Sequence, residues 1–195
     1  MKQIVLIHGG DSFASYDAYL ANLRAKELDY ARLLPKKRWI DAVIRDLPEA
    51  DILLPSMPNS SNAQFDEWVI MFEKLLLLLG DDVRLIGHSL GAMFLVKYLQ
   101  QHPLAKPVRQ LHLVAGGYNA VGHDYGSFML TTTQGVPHSA DEVHLYHSED
   151  DFVVPFEELA KLAADMPAAI VHRFTDRNHF LDPEFPELID LLKQK

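Results

Sequence analysis

Apolar positions in this chain fall into two kinds of pattern that alternate along its length. Ile4 to Ile7 is an almost unbroken apolar run closed by Gly9 and Gly10, the pattern of a strand covered on both faces. The stretches "ADILLPSMP", "DVRLIGHS", "VRQLHLVAGG", "EVHLYHS" and "AAIVHRFT" repeat it, the first again as a buried parallel strand. Between them apolar residues recur every three or four positions, as on one face of a helix. Tyr16, Leu20, Leu23, Ala31 and Leu34 predict a helical segment over about 16–34 that Pro35 closes. Ile40, Val43, Ile44 and Leu47 predict a second over 39–47, ended by Pro48. "QFDEWVIMFEKLLLLLG" predicts a helix running to Gly80, with its leucine run as the buried end. Further helices are predicted over about 90–101, 156–164 and 186–192.

Strands alternating with helices imply an α/β protein with a mostly parallel central sheet and helices on both faces. Right-handed crossovers then bring every strand's carboxyl end to one edge, where such sheets bind and react. No repeat or low-complexity linker divides the 195 residues, so one domain over 1–195 is expected. Two long excursions interrupt the alternation, at 12–47 and 117–141, and either is placed to roof that edge as a small cap or lid.

The third strand-like run ends in "GHSLG", residues 87–91. A serine at the tip of a sharp strand-to-helix turn needs small neighbours two positions before and after, and Gly87 and Gly91 supply them. Such a turn presents the Ser89 hydroxyl above the sheet edge and points the Leu90 N–H at the space beside it. A serine hydroxyl is a weak nucleophile without a base and a group to orient that base. Of ten histidines, only His179, in "TDRNHFLD", follows the last strand in a loop that reaches the reactive edge. His112, His144 and His172 lie inside apolar strand patterns and suit hydrogen-bonded structural roles. His144 and His147 stand three apart on a strand, face opposite ways and make no metal pair, so no metal site is expected.

For the orienting acid, "SEDDFVVP" offers Asp151, with Asp150 and Glu149 as close rivals; register relative to Val154 and Pro155 favours Asp151. The order serine, aspartate, histidine is the one expected of this sheet architecture. A second oxyanion donor belongs in the loop after the first strand, where Gly10 is the choice and Asp11 the alternative; His8 supports that loop. Phe13, Tyr118, Tyr125 and Phe128 are candidates for a substrate-binding surface, with Tyr16 and Met129 beside them.

Composition narrows the partners. A net charge of -9, with no basic cluster beyond Lys36, Lys37 and Arg38, argues against nucleic acid or an anionic membrane as the main partner. That run is expected to be a solvated helix start. The absence of cysteine excludes disulfides and a thiol nucleophile. No apolar run approaches the roughly 20 residues of a membrane span. The strand-like start "KQIVLIHGG" leaves no room for a secretory leader, so a cytoplasmic location is expected.

Through "HGG" at 8–10, "GHSLG" at 87–91, "DFVVP" at 151–155 and "NHF" at 178–180, the chain resembles the α/β-hydrolase superfamily. More narrowly it is similar to the compact family of small serine hydrolases that includes YdeN-type proteins and retinoblastoma-binding protein 9, through "LPSMPNSS", Trp68 and "SEDDFVVP". The resemblance implies the α/β-hydrolase fold, a Ser89, Asp151, His179 triad, esterase-type activity on a small-molecule ester or thioester, and no cofactor. It also implies a rival reading, a protein-binding module on the same scaffold. One position departs from the pattern: the residue before the histidine is commonly glycine and here is Asn178.

Overall fold

The structure, a computed structural model, describes residues 1–194, the side chain of Arg32 excepted. Six parallel strands form one sheet in the order β2-β1-β3-β4-β5-β6. They are β1 (Gln3–Ile7), β2 (Asp51–Leu53), β3 (Val83–His88), β4 (Val108–Val114), β5 (Ala140–Ser148) and β6 (Ile170–Phe174). Ile7 pairs with Gly87, His88 with Val114 and Ser148 with Phe174, so the carboxyl ends line up along one edge. The chain leaves β1 toward β2 on one side and then fills the other side from β3 outward, which puts the change of direction between β1 and β3. An open parallel sheet forms its binding crevice at that point.

One face of the sheet is covered by α4 (Phe65–Leu76), α5 (Leu90–Gln101) and α6 (Glu157–Asp165). Val5, Ile7, Leu85, Leu113 and Leu145 point into it and meet Trp68, Phe72 and Phe94. Trp68 and Phe128 stand edge to face at 5.0 Å, and Phe72 and Phe94 at 5.3 Å, the arrangement their ring quadrupoles favour. Helix α5 is apolar nearly all round because it is buried from Leu90 through Val96. The opposite face is covered by α3 (Trp39–Asp46) and α7 (Pro186–Lys193), where Trp39, Val43, Leu188 and Leu192 meet Ile4, Leu6 and Ile86.

Three elements differ from the sequence reading. The segment expected as one helix is two, α1 (Tyr16–Ala25) and α2 (Tyr30–Leu33). Helix α1 buries no residue, so no packing extends it, and Asp29 starts α2 afresh by capping the Ala31 N–H at 2.8 Å. The "DILLP" strand is a three-residue edge strand paired only with β1, and it is half covered rather than buried. The leucine run is not a buried helix end: α4 stops at Leu76, and Leu77 and Leu78 are exposed. Five consecutive leucines point to every side of a helix, and only one side meets the core. Among the described residues no helix is long and apolar enough to cross a membrane.

Beneath α7 and beyond it, β4, β5 and β6 carry a polar layer, buried at Gln110, His112, His144 and Tyr146 and reaching the surface at Glu142. His112 accepts from the Tyr146 hydroxyl at 2.9 Å, and His172 pairs with His144 at 3.1 Å. His144 in turn reaches the Glu142 carboxylate, which also accepts from Gln110 at 3.0 Å. Neutral imidazoles satisfy every one of these bonds. Burial pulls His112, His144 and His172 below the usual imidazole range. The unfolded chain therefore binds protons below about pH 6.5 that the folded chain refuses. Stability is expected to be full above that pH and to fall as pH drops toward the lowered folded values, by at most about 1.4 kcal/mol per pH unit for each group. Melting temperatures across pH 8 to 5 check this; a flat profile contradicts it.

Candidate active site

The local sequence forces the turn that carries Ser89. Its φ of 56° and ψ of -122° are strained for any residue but glycine. The turn is held because the Ser89 N–H donates to the Val114 carbonyl at 2.8 Å, while the Ser89 carbonyl accepts from Ala92 at 2.9 Å. Gly87 and Gly91 are required by contact: a Cβ on Gly87 would stand 2.6 Å from the Ala92 Cα, and one on Gly91 would stand 2.1 Å from the Ile7 carbonyl oxygen. The helix that begins at Leu90 thus presses directly on the end of β1. Leu90 is the first residue of α5, so its N–H has no acceptor within the helix.

A cavity of about 310 Å³ opens above β1 and β3, its wall including Gly10, Phe13, Ser89, Leu90, Tyr125 and Val154. The Gly10 N–H has no acceptor among the described residues, whereas the Asp11 N–H is already bonded to the Ser60 carbonyl at 2.8 Å. That removes Asp11 as the alternative donor. His8 donates from Nδ1 to the Gly9 carbonyl at 2.7 Å and accepts the Met57 N–H on Nε2 at 2.9 Å, which fixes the ring beneath the loop. Both excursions wall the cavity, Phe13 and Asn22 from the first and residues 122–125 from the second. They are tied together by the Asp124 carboxylate, which accepts the Ala14 N–H at 2.9 Å.

Of the four aromatic candidates, Phe13 and Tyr125 line the cavity, and Tyr118 and Phe128 do not. Tyr118 is drawn into the core by its hydroxyl, which donates to Asp165 at 2.7 Å, and Phe128 packs on Trp68. Tyr16 is exposed and Met129 lies outside the wall. Glu158, invisible as a functional residue in the sequence, is buried with one carboxylate oxygen accepting the N–H groups of Tyr118, Asn119 and Ala120 at 2.6, 2.8 and 2.9 Å. It pins the root of the second excursion to α6.

The candidate acid and the candidate base meet. His179 Nδ1 lies 2.8 Å from Asp151 Oδ2 and 3.1 Å from Oδ1, and the Asp151 side chain is wholly buried. Burial alone raises the Asp151 carboxyl, yet the His179 ring N–H and the Val154 and Val153 amides together hold it below the usual carboxylate range. Asp150 is turned elsewhere: its Oδ1 accepts from Ser148 Oγ and from the Asn178 N–H at 2.8 Å, fastening the loop that carries His179. Glu149 contributes its backbone N–H to the Phe174 carbonyl. Asn178 has a φ of 41°, a left-handed conformation that asparagine tolerates better than most residues and glycine adopts freely. The departure from glycine therefore leaves the loop geometry attainable.

Two further imidazoles brace this pair. His88 donates from Nε2 to the His179 carbonyl at 2.9 Å with ring centroids 5.1 Å apart. Burial, reinforced by His179 itself, pushes His88 down to about 4, so it stays neutral beside His179. His147, on the other face of β5 from His144, donates to the Val154 carbonyl at 3.0 Å and shapes the turn that offers Asp151.

A profile of the Serine hydrolase family matches residues 34–182. The chain belongs to the serine hydrolase family. The sequence is 28% identical over 160 residues to Serine hydrolase RBBP9 of Rattus norvegicus, covering 80% of this chain and 83% of that one. It is 27% identical over 190 residues to the putative hydrolase YdeN of Bacillus subtilis, covering 94% and 88%. The crystal structure of the ydeN gene product from B. subtilis superposes with a TM-score of 0.78 at 20% identity, covering 98% of this chain and 97% of that one. That likeness establishes the α/β-hydrolase fold for this serine hydrolase.

Proposed function

We propose that this serine hydrolase cleaves a carboxylic ester, or a thioester, of a small molecule through an acyl-enzyme on Ser89. The observation that carries the reading is the buried, hydrogen-bonded Asp151 and His179 pair at the same sheet edge as a serine held in a strained turn on a cavity wall. His179 Nε2 takes the Ser89 proton as Oγ attacks the carbonyl carbon. The oxyanion that forms accepts from the Gly10 and Leu90 N–H groups, a contribution of roughly 3 kcal/mol per donor in comparable sites. Asp151, ionised and immobile, fixes the Nδ1–H tautomer and stabilises the imidazolium. The proton then passes from His179 to the departing alcohol or thiol, and water repeats the cycle to free the acid. A partner-binding role without turnover leaves the paired acid and base without a task. A cytoplasmic setting goes with this reading, since a chain without cysteine needs no oxidising compartment.

The test is exposure of the folded chain to a fluorophosphonate followed by intact-mass measurement and peptide mapping. A single adduct on Ser89 is expected; no adduct on folded protein overturns the reading. Asp151→Asn is expected to keep the fold and lower kcat on a p-nitrophenyl ester by about 10⁴, because the amide favours the wrong imidazole tautomer. A drop of less than tenfold would place the orienting acid elsewhere.

A further inference from the structure

Residues 21–38 are exposed at every described side chain, apolar ones included. Leu28 is 77% and Tyr30 78% exposed, and Leu33 and Leu34 are at least half exposed. Soluble surfaces carry single exposed leucines routinely, but a concentrated group of this kind marks a contact surface. Arg24, Lys26, Lys36, Lys37 and Arg38 flank that group, against the acids Glu27 and Asp29. The whole-chain charge of -9 conceals this local patch. The run Lys36, Lys37, Arg38 is more than a solvated helix start, because it adjoins bare Leu33 and Leu34.

We propose that residues 23–38 dock on an anionic lipid surface, with Leu28, Tyr30, Leu33 and Leu34 entering the headgroup boundary and the cations lying among the phosphates. Interleaved cations and exposed apolar side chains are the composition that binds such a surface without spanning it. A second copy of this chain is the poorer occupant, since a two-fold contact would set one net positive patch against another.

The same excursion contributes Phe13 and Asn22 to the cavity wall. Docking therefore brings the cavity mouth to the lipid and makes amphiphilic esters the substrate class. That extension rests on the hydrolase reading; the docking itself does not.

The experiment is flotation of the whole chain with vesicles of phosphatidylcholine alone and of phosphatidylcholine with about a third phosphatidylglycerol, at low and high salt. Binding to the anionic vesicles, weakened by salt, is expected. Lys36→Glu with Lys37→Glu should lower partitioning by about 25-fold or more, at roughly fivefold per basic residue. Leu28→Ser with Leu33→Ser should also lower it, while both variants keep the wild-type turnover of a water-soluble short-chain ester. No flotation of folded wild-type chain with anionic vesicles, equal flotation with both compositions, or flotation that either pair of substitutions leaves unchanged overturns the proposal. Flotation without hydrolysis of any ester would uphold the docking and overturn the hydrolase reading.

Discussion

Ser89→Ala is expected to lower kcat on a carboxylic ester by about 10⁶ while the protein stays folded, leaving only the rate that binding and the oxyanion donors supply. The loss should be total for fluorophosphonate labelling. Alanine keeps the same steric demands at φ 56°, so the melting temperature should move little. Ser89→Gly is the informative companion. It loses the nucleophile equally, but it relaxes a backbone strain of about 1–3 kcal/mol, offset by the roughly 0.5–1 kcal/mol entropy cost of glycine. A net gain on the order of 1 kcal/mol, or about 2–4 °C in a chain of this size, is expected. Turnover that survives in Ser89→Ala would remove the acyl-enzyme from the mechanism. A lower melting temperature in Ser89→Gly would mean that the serine side chain holds the turn, and that the strain has been misread.

Strain of that kind is legible in the sequence because it leaves small residues behind. "GHSLG" announces the turn, and the alternation of apolar runs with three- and four-residue spacing announces the parallel sheet. Chain order then brings Asp151 and His179 to the edge where Ser89 stands. What distinguishes Asp151 from Asp150 is not composition but direction: consecutive residues in the turn after β5 face apart, one toward the His179 ring and the other toward the Asn178 N–H. Tyr118 and Phe128 were indistinguishable from Phe13 and Tyr125 for a similar reason. An irregular segment has no period from which to read a facing: Tyr118, Tyr125 and Phe128 are all buried in the core, and of these only Tyr125 also reaches the cavity wall. Glu158 was hidden because its partners, the amides of Tyr118, Asn119 and Ala120, are backbone groups about forty positions away that no side-chain motif records. The α1 and α2 segment misled through its weak stripe, since apolar spacing implies burial only where a neighbouring face exists to receive it.

Gly91→Ala should damage both fold and activity, although Gly91 touches no substrate. The added Cβ would stand 2.1 Å from the Ile7 carbonyl oxygen and 2.6 Å from that of His8. Both obstacles are backbone, one at the end of a central strand and one in the loop that carries Gly10, so no rotamer change relieves them. Either α5 withdraws from β1 or the loop shifts, and each movement separates the Gly10 and Leu90 amides proposed to face one oxyanion. The overpacking should reach the upper end of about 1–3 kcal/mol, a fall of roughly 6–12 °C in melting temperature. Loss of one aligned donor should lower kcat by a further 10²–10³ or about that order, with KM nearly unchanged. Gly80→Ala is the matched control, because the nearest atom to its new Cβ is the Gln3 side-chain oxygen at 3.5 Å, and it should stay within about 0.5 kcal/mol of the wild type. If Gly91→Ala melted and turned over like Gly80→Ala, the contact between α5 and β1 would be softer than the geometry requires, and the two amides could not owe their alignment to it.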